Sequence, residues 1–213
     1  MAKVRRGLTS FWKSENSKER IIKAALEEFG QNGYVAASTN NMCKNHDISK
    51  GLLFHHYKNK DELFLVCVSK CFEALAQYLK ENLPENVEDA KEGLNKYFEA
   101  RFEFFKANPF YEQIFYTAVI NTPSHLKDAV AERREAINAF NRHYLTKLLD
   151  YVVLKEDYEK SSIIELLSDM SHYIHMKYKG SCLENPEEKH QIVMQHSKDI
   201  KDMILILFYG IVK

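Results

Sequence analysis

Between Ser38 and Leu63 the sequence STNNMCKNHDISKGLLFHHYKNKDEL has room for two very short helices and only a tight turn to join them. Ser38 is placed to cap a helix running through Met42 and Cys43 to about His46, its hydroxyl accepting from a free backbone N–H. Asp47 breaks that helix, since Asp tolerates left-handed backbone angles and favours turns, and Ser49 is placed to cap the next one. Helices this short are marginal alone, so Met42, Ile48, Leu53 and Tyr57 are expected to pack against a neighbour. Lys50, Gly51, Leu52, Phe54, His55 and His56 are then left facing outward on the second helix. A cation, a glycine that permits close approach, apolar groups able to meet a thymine methyl, and imidazole donors together suit a helix that enters a DNA major groove. Singly, each has an ordinary alternative as a surface lysine, a core phenylalanine or a solvated histidine; the spacing of the whole set is what favours DNA.

With the preceding run ERIIKAALEEFGQNGYVAAS, this stretch resembles the N-terminal DNA-binding domain of TetR-family transcriptional regulators. Phe29, Gly33, Tyr34, Ile48, Ser49, Lys50, Gly51, Phe54, His55, Tyr57, Lys58, Lys60, Asp61, Glu62 and Leu63 carry the resemblance, which covers roughly the first third of the chain. Two positions depart from the pattern: Asp47 stands where Gly is usual and Cys43 where Ala is usual. The resemblance implies an all-α chain with a three-helix helix-turn-helix domain over residues 17–60 and a C-terminal helical ligand-binding and dimerisation domain over residues 61–213. It places Thr39, Asn40, His55, His56 and Lys60 near phosphates, and Lys50, Gly51, Leu52 and Phe54 near base edges, with Ser49 at the start of that helix. Residues 1–16 read as a flexible basic arm containing Phe11 and Trp12, either adding groove contacts or fraying as a terminus.

The net charge of zero argues by itself against nucleic acid. Its distribution reverses that: residues 1–60 hold eleven Lys or Arg against five Asp or Glu, a net +6, leaving −6 on the remainder. A basic end on an acidic trunk is what phosphate binding by counterion release requires. The four cysteines, at 43, 67, 71 and 182, show no CxxC spacing, and plain burial is expected for them. The longest apolar run, Met203 to Val212, is about half a membrane span, so a cytoplasmic protein with no membrane partner is expected.

After the reading end, Asn59 followed by Glu62 signals the start of a long helix, whose stripe of Phe64, Cys67, Cys71, Leu75, Tyr78 and Leu79 follows the helical period. It starts at the DNA end and finishes in the trunk, a natural lever between them. The next helix, about 86–107, carries Tyr97, Phe98, Arg101, Phe102 and Phe105, and a second aromatic cluster follows the break at Asn108-Pro109. So many rings either fill a core or line a cavity for an apolar or aromatic ligand oriented by Arg101 or a tyrosine hydroxyl. Given the family resemblance, Arg101, Phe105, Tyr111, Phe115, Tyr116 and His143 are the candidate ligand residues. Thr122 and Pro123 are expected to open one long helix reaching Leu148.

In the last two helices the stretch Met203–Phe208 is apolar on every side, which calls for cover on two faces. A symmetric four-helix contact between two copies would supply it, using Ile163, Leu167, Met170, Ile200, Ile204, Leu207 and Phe208. His172 and His175 are three apart, but no acid or Cys stands at matching spacing, so no metal or cofactor is expected. No phosphate loop and no nucleophile–base set supports an enzyme. The expected function is a ligand-responsive regulator, a repressor by resemblance, that binds a palindromic double-stranded operator as a homodimer and responds to a small-molecule effector. The alternatives are a helical enzyme or carrier that does not read DNA, and a regulator with a solid, ligand-free trunk.

Overall fold

The computed structural model describes residues 2–154, 158–179 and 186–211, with the side chains of residues 2–16, 186, 187, 189 and 209–211 outside that description. Every element among the described residues is helical: α1 (Ala2–Ala36), α2 (Thr39–Asn45), α3 (Lys50–His56), α4 (Lys60–Asn82), α5 (Ala90–Ala107), α6 (Pro109–Val119), α7 (Lys127–Arg133), α8 (Glu135–Leu148), α9 (Lys160–Tyr178) and α10 (Pro186–Ile211). None of them is long and apolar enough to cross a membrane. Cys182 and the side chains of Phe11 and Trp12 lie outside the described residues.

The N-terminal unit packs α2 and α3 against α1. Ile21, Ala25 and Phe29 of α1, Met42 of α2 and Leu53 of α3 are almost wholly removed from solvent, and burying a side chain of that size contributes about 1.5–3 kcal/mol. The backbone of residues 2–16, expected as a flexible arm, continues α1 as helix. Gly33, at φ 69°, breaks the helical path near its end. Glu28, buried in this unit, accepts from the Ser38 N–H at 2.8 Å and ties α1 to the entry of α2.

Helix α4 begins in the N-terminal unit and runs into the trunk, touching α1 at one end and α5, α6, α7 and α8 along its length. Phe64 near its start packs edge-on to Phe29, 5.1 Å between centroids, and to Tyr34, 5.0 Å. A second junction is closer still. A Cβ added at Gly30 would lie 2.7 Å from the Cα of Phe110, so the backbones of α1 and α6 meet where only glycine fits. Cys43, Cys67 and Cys71 are free and buried. Burial pushes the Cys67 and Cys71 thiols well above their ordinary range, which leaves them unreactive.

The single long helix expected from Thr122 to Leu148 is instead three pieces. Thr122 turns its hydroxyl back to the Ala118 carbonyl, 2.8 Å, rather than capping forward. A 3-10 turn at Ser124–Leu126 leads into α7, and the path breaks again at Arg134 (φ −84°, ψ −3°) before α8. Likewise α5 starts at Ala90, later than expected, because the Asp89 side chain caps it by accepting from the Glu92 N–H at 2.7 Å.

Candidate functional site: an exposed reading helix and a cationic cavity

The turn between α2 and α3 is built as its sequence demands. Ser38 accepts from the Asn40 N–H at 3.2 Å and Ser49 from the Leu52 N–H at 3.2 Å. Asp47 between them takes φ 52°, a conformation that costs little for Asp. Arg20 of α1 donates to the carbonyls of His46 and Asp47, at 3.2 and 3.1 Å, fixing the turn from behind. Leu53 and Tyr57 face inward, and Lys50, Gly51, Phe54 and His55 face solvent, with Leu52 and His56 half-buried. Desolvation, aided by His55 and Lys18, holds the His56 imidazole below its ordinary value. Asn40 and Ser49 are exposed and Thr39 is half-buried.

Gly51 has no internal reason to be glycine, because a Cβ there would meet nothing within 4 Å. A glycine inside a helix costs about 1 kcal/mol relative to alanine, so its use points to something outside the chain that must come close. Lys60 behaves differently from expectation. Its ammonium donates to the carbonyls of Tyr34, Val35 and Ala37, at 2.9, 3.3 and 3.3 Å, and lies 4.6 Å from the Tyr34 ring centroid. It closes the end of α1 instead of projecting toward a phosphate, because the α4 N-terminus sits directly beside the carbonyls that α1 leaves unpaired.

A cavity of about 320 Å³ lies in the trunk between α4, α5, α6, α8, α9 and α10. Of the residues expected to hold a ligand, Arg101 and Phe115 line it. Phe105 lines a neighbouring groove of about 290 Å³, which Arg101 also reaches. Tyr111 stacks on Phe104 outside the cavity, 5.9 Å between centroids, and Tyr116 is core. His143 projects to solvent, because α8 turns Tyr144 and Asn141 inward in its place. The expected dimer residues also move. Leu167, Ile200 and Ile204 line the cavity, and Ile163 and Phe208 are buried in the same chain, so none of these five offers a free face. Met170 and Leu207 are half-buried, and among the described residues the large apolar side chains exposed on these helices are Leu166, Tyr173, Met176, Met194 and Ile206.

Among the described residues the charged lining is cationic and lacks a carboxylate: Arg101, Arg134 and Arg142 border the cavity beside His172, His175 and His196, with no Asp or Glu. Arg142 is paired outside it with Glu135 at 2.6 Å. Arg101 is buried, lies 4.7 Å from the Phe115 ring centroid and shares a hydrogen bond with Tyr97, whose hydroxyl donates to Asn141 at 2.8 Å. Desolvation, then repulsion from Arg101, brings Arg134 down to about 10. His175 is lowered to about 2, by desolvation first, then Arg134 and His196, and His196 to about 3, by desolvation first, then Arg101 and Arg134, so both imidazoles are neutral.

Neutral histidines next to an arginine fix their own tautomers. Arg134 Nη2 can only donate, so His175 Nε2 accepts at 3.1 Å and the His175 proton is on Nδ1. That Nδ1–H donates to His196 Nε2 at 2.8 Å, which leaves the His196 proton on Nδ1. The sequence carried no sign of this chain, since Arg134, His175 and His196 come from the α7–α8 break, α9 and α10. His172 and His175, the pair noted for spacing, do not act together: His172 is exposed, and no group of three or more His, Cys, Asp or Glu could hold a metal among the described residues.

Known proteins resemble this chain in its N-terminal segment and in its fold. The profile described as "Bacterial regulatory proteins, tetR family" matches residues 21–67, which contain α2, α3 and the start of α4. Over 145 residues, 66% of this chain and 75% of the relative, the sequence is 28% identical to the biofilm operon icaADBC HTH-type negative transcriptional regulator IcaR of Staphylococcus epidermidis. It is 44% identical over 50 residues to the HTH-type transcriptional regulator QacR of Staphylococcus aureus, a match spanning 24% of this chain and 27% of QacR. In fold, the chain is similar to the transcriptional regulator FadR from Bacillus subtilis in complex with stearoyl-CoA, with a TM-score of 0.59 and 17% identity over 87% of this chain and 96% of that one.

Proposed function

Since the chain belongs to the TetR family of bacterial transcriptional regulators, we propose that it is a repressor that binds a near-palindromic operator as a homodimer and is released by a small molecule in the trunk cavity. The observation that carries the DNA half is the solvent-facing strip of Lys50, Gly51, Phe54 and His55 on a short helix held from behind by Leu53, Tyr57 and Arg20. Thr39, Asn40, Ser49, His55 and His56 are assigned to the backbone and entry contacts, and Lys50, Gly51, Leu52 and Phe54 to base edges. Residues 17–60 serve as the reading head, residues 61–213 as the sensing and pairing trunk, and residues 1–16 as an arm. The site of action is the cytoplasm, where the DNA is. Lys60 is reassigned from phosphate contact to closing α1.

Pairing falls to α9 and α10, with Leu166, Met170 and Tyr173, spaced on one helical face, joined by Ile206 and Leu207. A dimer brings two copies of α3 to successive turns of the duplex, which is why the operator should be an inverted repeat. Coupling runs through α4, whose Phe72 and Leu75 line the cavity and whose first turn holds Asp61, the acceptor of the Tyr34 hydroxyl at 2.5 Å. Beside that pair, His125, in the turn leading to α7, lies 3.5 Å from Asp61. A ligand that favours one tilt of α4 shifts the spacing of the two heads by its difference in affinity for the two tilts. The cavity among Tyr97, Phe98, Arg101 and Phe115 favours this over a solid, ligand-free trunk, and the stearoyl-CoA complex of the Bacillus subtilis protein supports a small-molecule effector as a class.

The test is retention on DNA flanking the chain's own coding region, as salt is raised. Retention should fall steeply with salt, and Lys50→Ala should weaken it and lower the logarithmic salt slope by about 1. Retention that ignores salt, or an unchanged slope in Lys50→Ala, would overturn the reading.

A further inference from the structure

Four buried side-chain atoms among the described residues have no hydrogen-bond partner: Arg101 Nε, Arg101 Nη2, Arg134 Nε and His196 Nδ1. All four belong to residues lining the one cavity, and all four are donors, the last because the Arg134–His175–His196 chain places its proton there. Orphaned buried donors are rare, and each forfeits the hydrogen bonds it had to water. Two are on Arg101, which is 93% buried at 7% relative exposure, and arginine does not escape the cost by losing its proton. Phe115 and Phe72 lie against the guanidiniums of Arg101 and Arg134, at 4.7 and 5.8 Å from their ring centroids, and compensate part of the charge without supplying an acceptor.

No acid among the described residues supplies the missing acceptor. Glu135 is engaged by Arg142, and Asp199 behind His196 is taken by Lys177, Tyr178 and Gln195 at 2.7 Å each. We infer that the cavity binds a small amphiphilic acid, whose carboxylate or phosphate oxygens take the free donors of Arg101, Arg134 and His196 while its hydrocarbon or aryl part lies against Leu75, Phe115 and Ile204. This rests on the ligand-responsive reading for its biological meaning but not for its chemistry. A cationic or neutral apolar ligand would leave the four donors as they are, and a cation would add repulsion from two arginines.

The experiment uses the full chain with four ligands of equal tail: decanoate, decyl phosphate, decanol and decyltrimethylammonium, measured by calorimetric titration and thermal shift. At least one acid should bind, about 10- to 100-fold more tightly than decanol, as charge-assisted hydrogen bonds require, and the tighter of the two acids identifies the head. Decyltrimethylammonium should not raise the melting temperature. Arg101→Met and Arg134→Met should each lose most of the preference for acid over alcohol while melting no lower than wild type without ligand, because an uncompensated charge has gone. If one variant does not fold, the other decides. Equal binding of acid and alcohol, binding of neither acid, or unchanged acid affinity in both variants would overturn the inference. Operator retention measured alongside separates the two claims. An acid that binds without releasing DNA upholds the anion site and removes the release mechanism. A neutral compound that releases DNA while no acid binds does the reverse.

Discussion

The reading helix and the trunk cavity use nearly the same side chains, cations and imidazoles among phenylalanines and leucines, and differ in whether water reaches them. At the tip, Lys50 and His55 are solvated, so they cost the fold almost nothing, and what they gain on meeting phosphate comes from releasing counterions. In the cavity, Arg101 and His196 have been stripped of water before any partner arrives, and the fold carries the penalty until one does. One residue inventory thus gives a salt-screened surface in one place and buried, weakly screened cations and imidazoles in the other, with burial as the difference.

The largest test of that contrast is acid. His175 and His196 sit below the ordinary value of about 6.5, so above that pH they are neutral in both folded and unfolded chains and contribute no difference. As pH falls, the unfolded chain takes up protons that the cavity refuses, and stability is lost from pH 6.5 downward toward the folded values of about 2 and 3. Between pH 7 and 5 this should amount to on the order of 2 kcal/mol for His196 alone. Urea denaturation at pH 7, 6 and 5 should therefore show a steeper loss in wild type than in His196→Gln. The groups facing the pair, Arg101, Arg134, His172 and Asp199, are common to both proteins, and parallel curves would mean that the cavity is wetter than its geometry implies.

Next in size is Lys60, which looks like a tip residue in sequence but is a structural one in space. Lys60→Ala should cost about 1–3 kcal/mol in chemical denaturation, since three carbonyls lose their donor, and should leave the salt slope of DNA retention unchanged. A lower slope would return Lys60 to the DNA-facing set. The smallest effect sharpens the tip itself. Gly51→Ala should raise stability by about 0.5–1 kcal/mol, because a Cβ there meets nothing in the chain, and should weaken retention on DNA. A variant that is more stable and binds as well would mean that no duplex approaches that backbone.

What was legible in sequence follows the same division. The tip is a local motif: Ser38, Asp47, Ser49 and Asn59 each act on backbone within a few residues, and all four do in space what their spacing indicated. The family profile falls on this same segment. The cavity is not local. Arg101 and Phe115 were found because they sit in a conspicuous aromatic run, but Arg134, His175 and His196 meet only through tertiary packing, and the helix break that aims Arg134 inward has no Pro or Gly to announce it. Five of the seven residues expected at the dimer contact are instead buried, for a related reason. Apolar periodicity marks what is buried, and Ile163, Leu167, Ile200, Ile204 and Phe208 are buried by their own chain, so the pattern could not tell an inner face from a shared one.

The meeting of Gly30 with Phe110 has a mechanical consequence. Most helix pairs are separated by side chains whose rotamers can swing to absorb a small slip, like a bearing with play in it. At this crossing the main chain of Gly30 rests on the Cα, Cβ and Cγ of Phe110, and little lies between that could yield. Because α6 also carries Phe115, the ring over which Arg101 lies, this contact joins the cavity wall directly to α1.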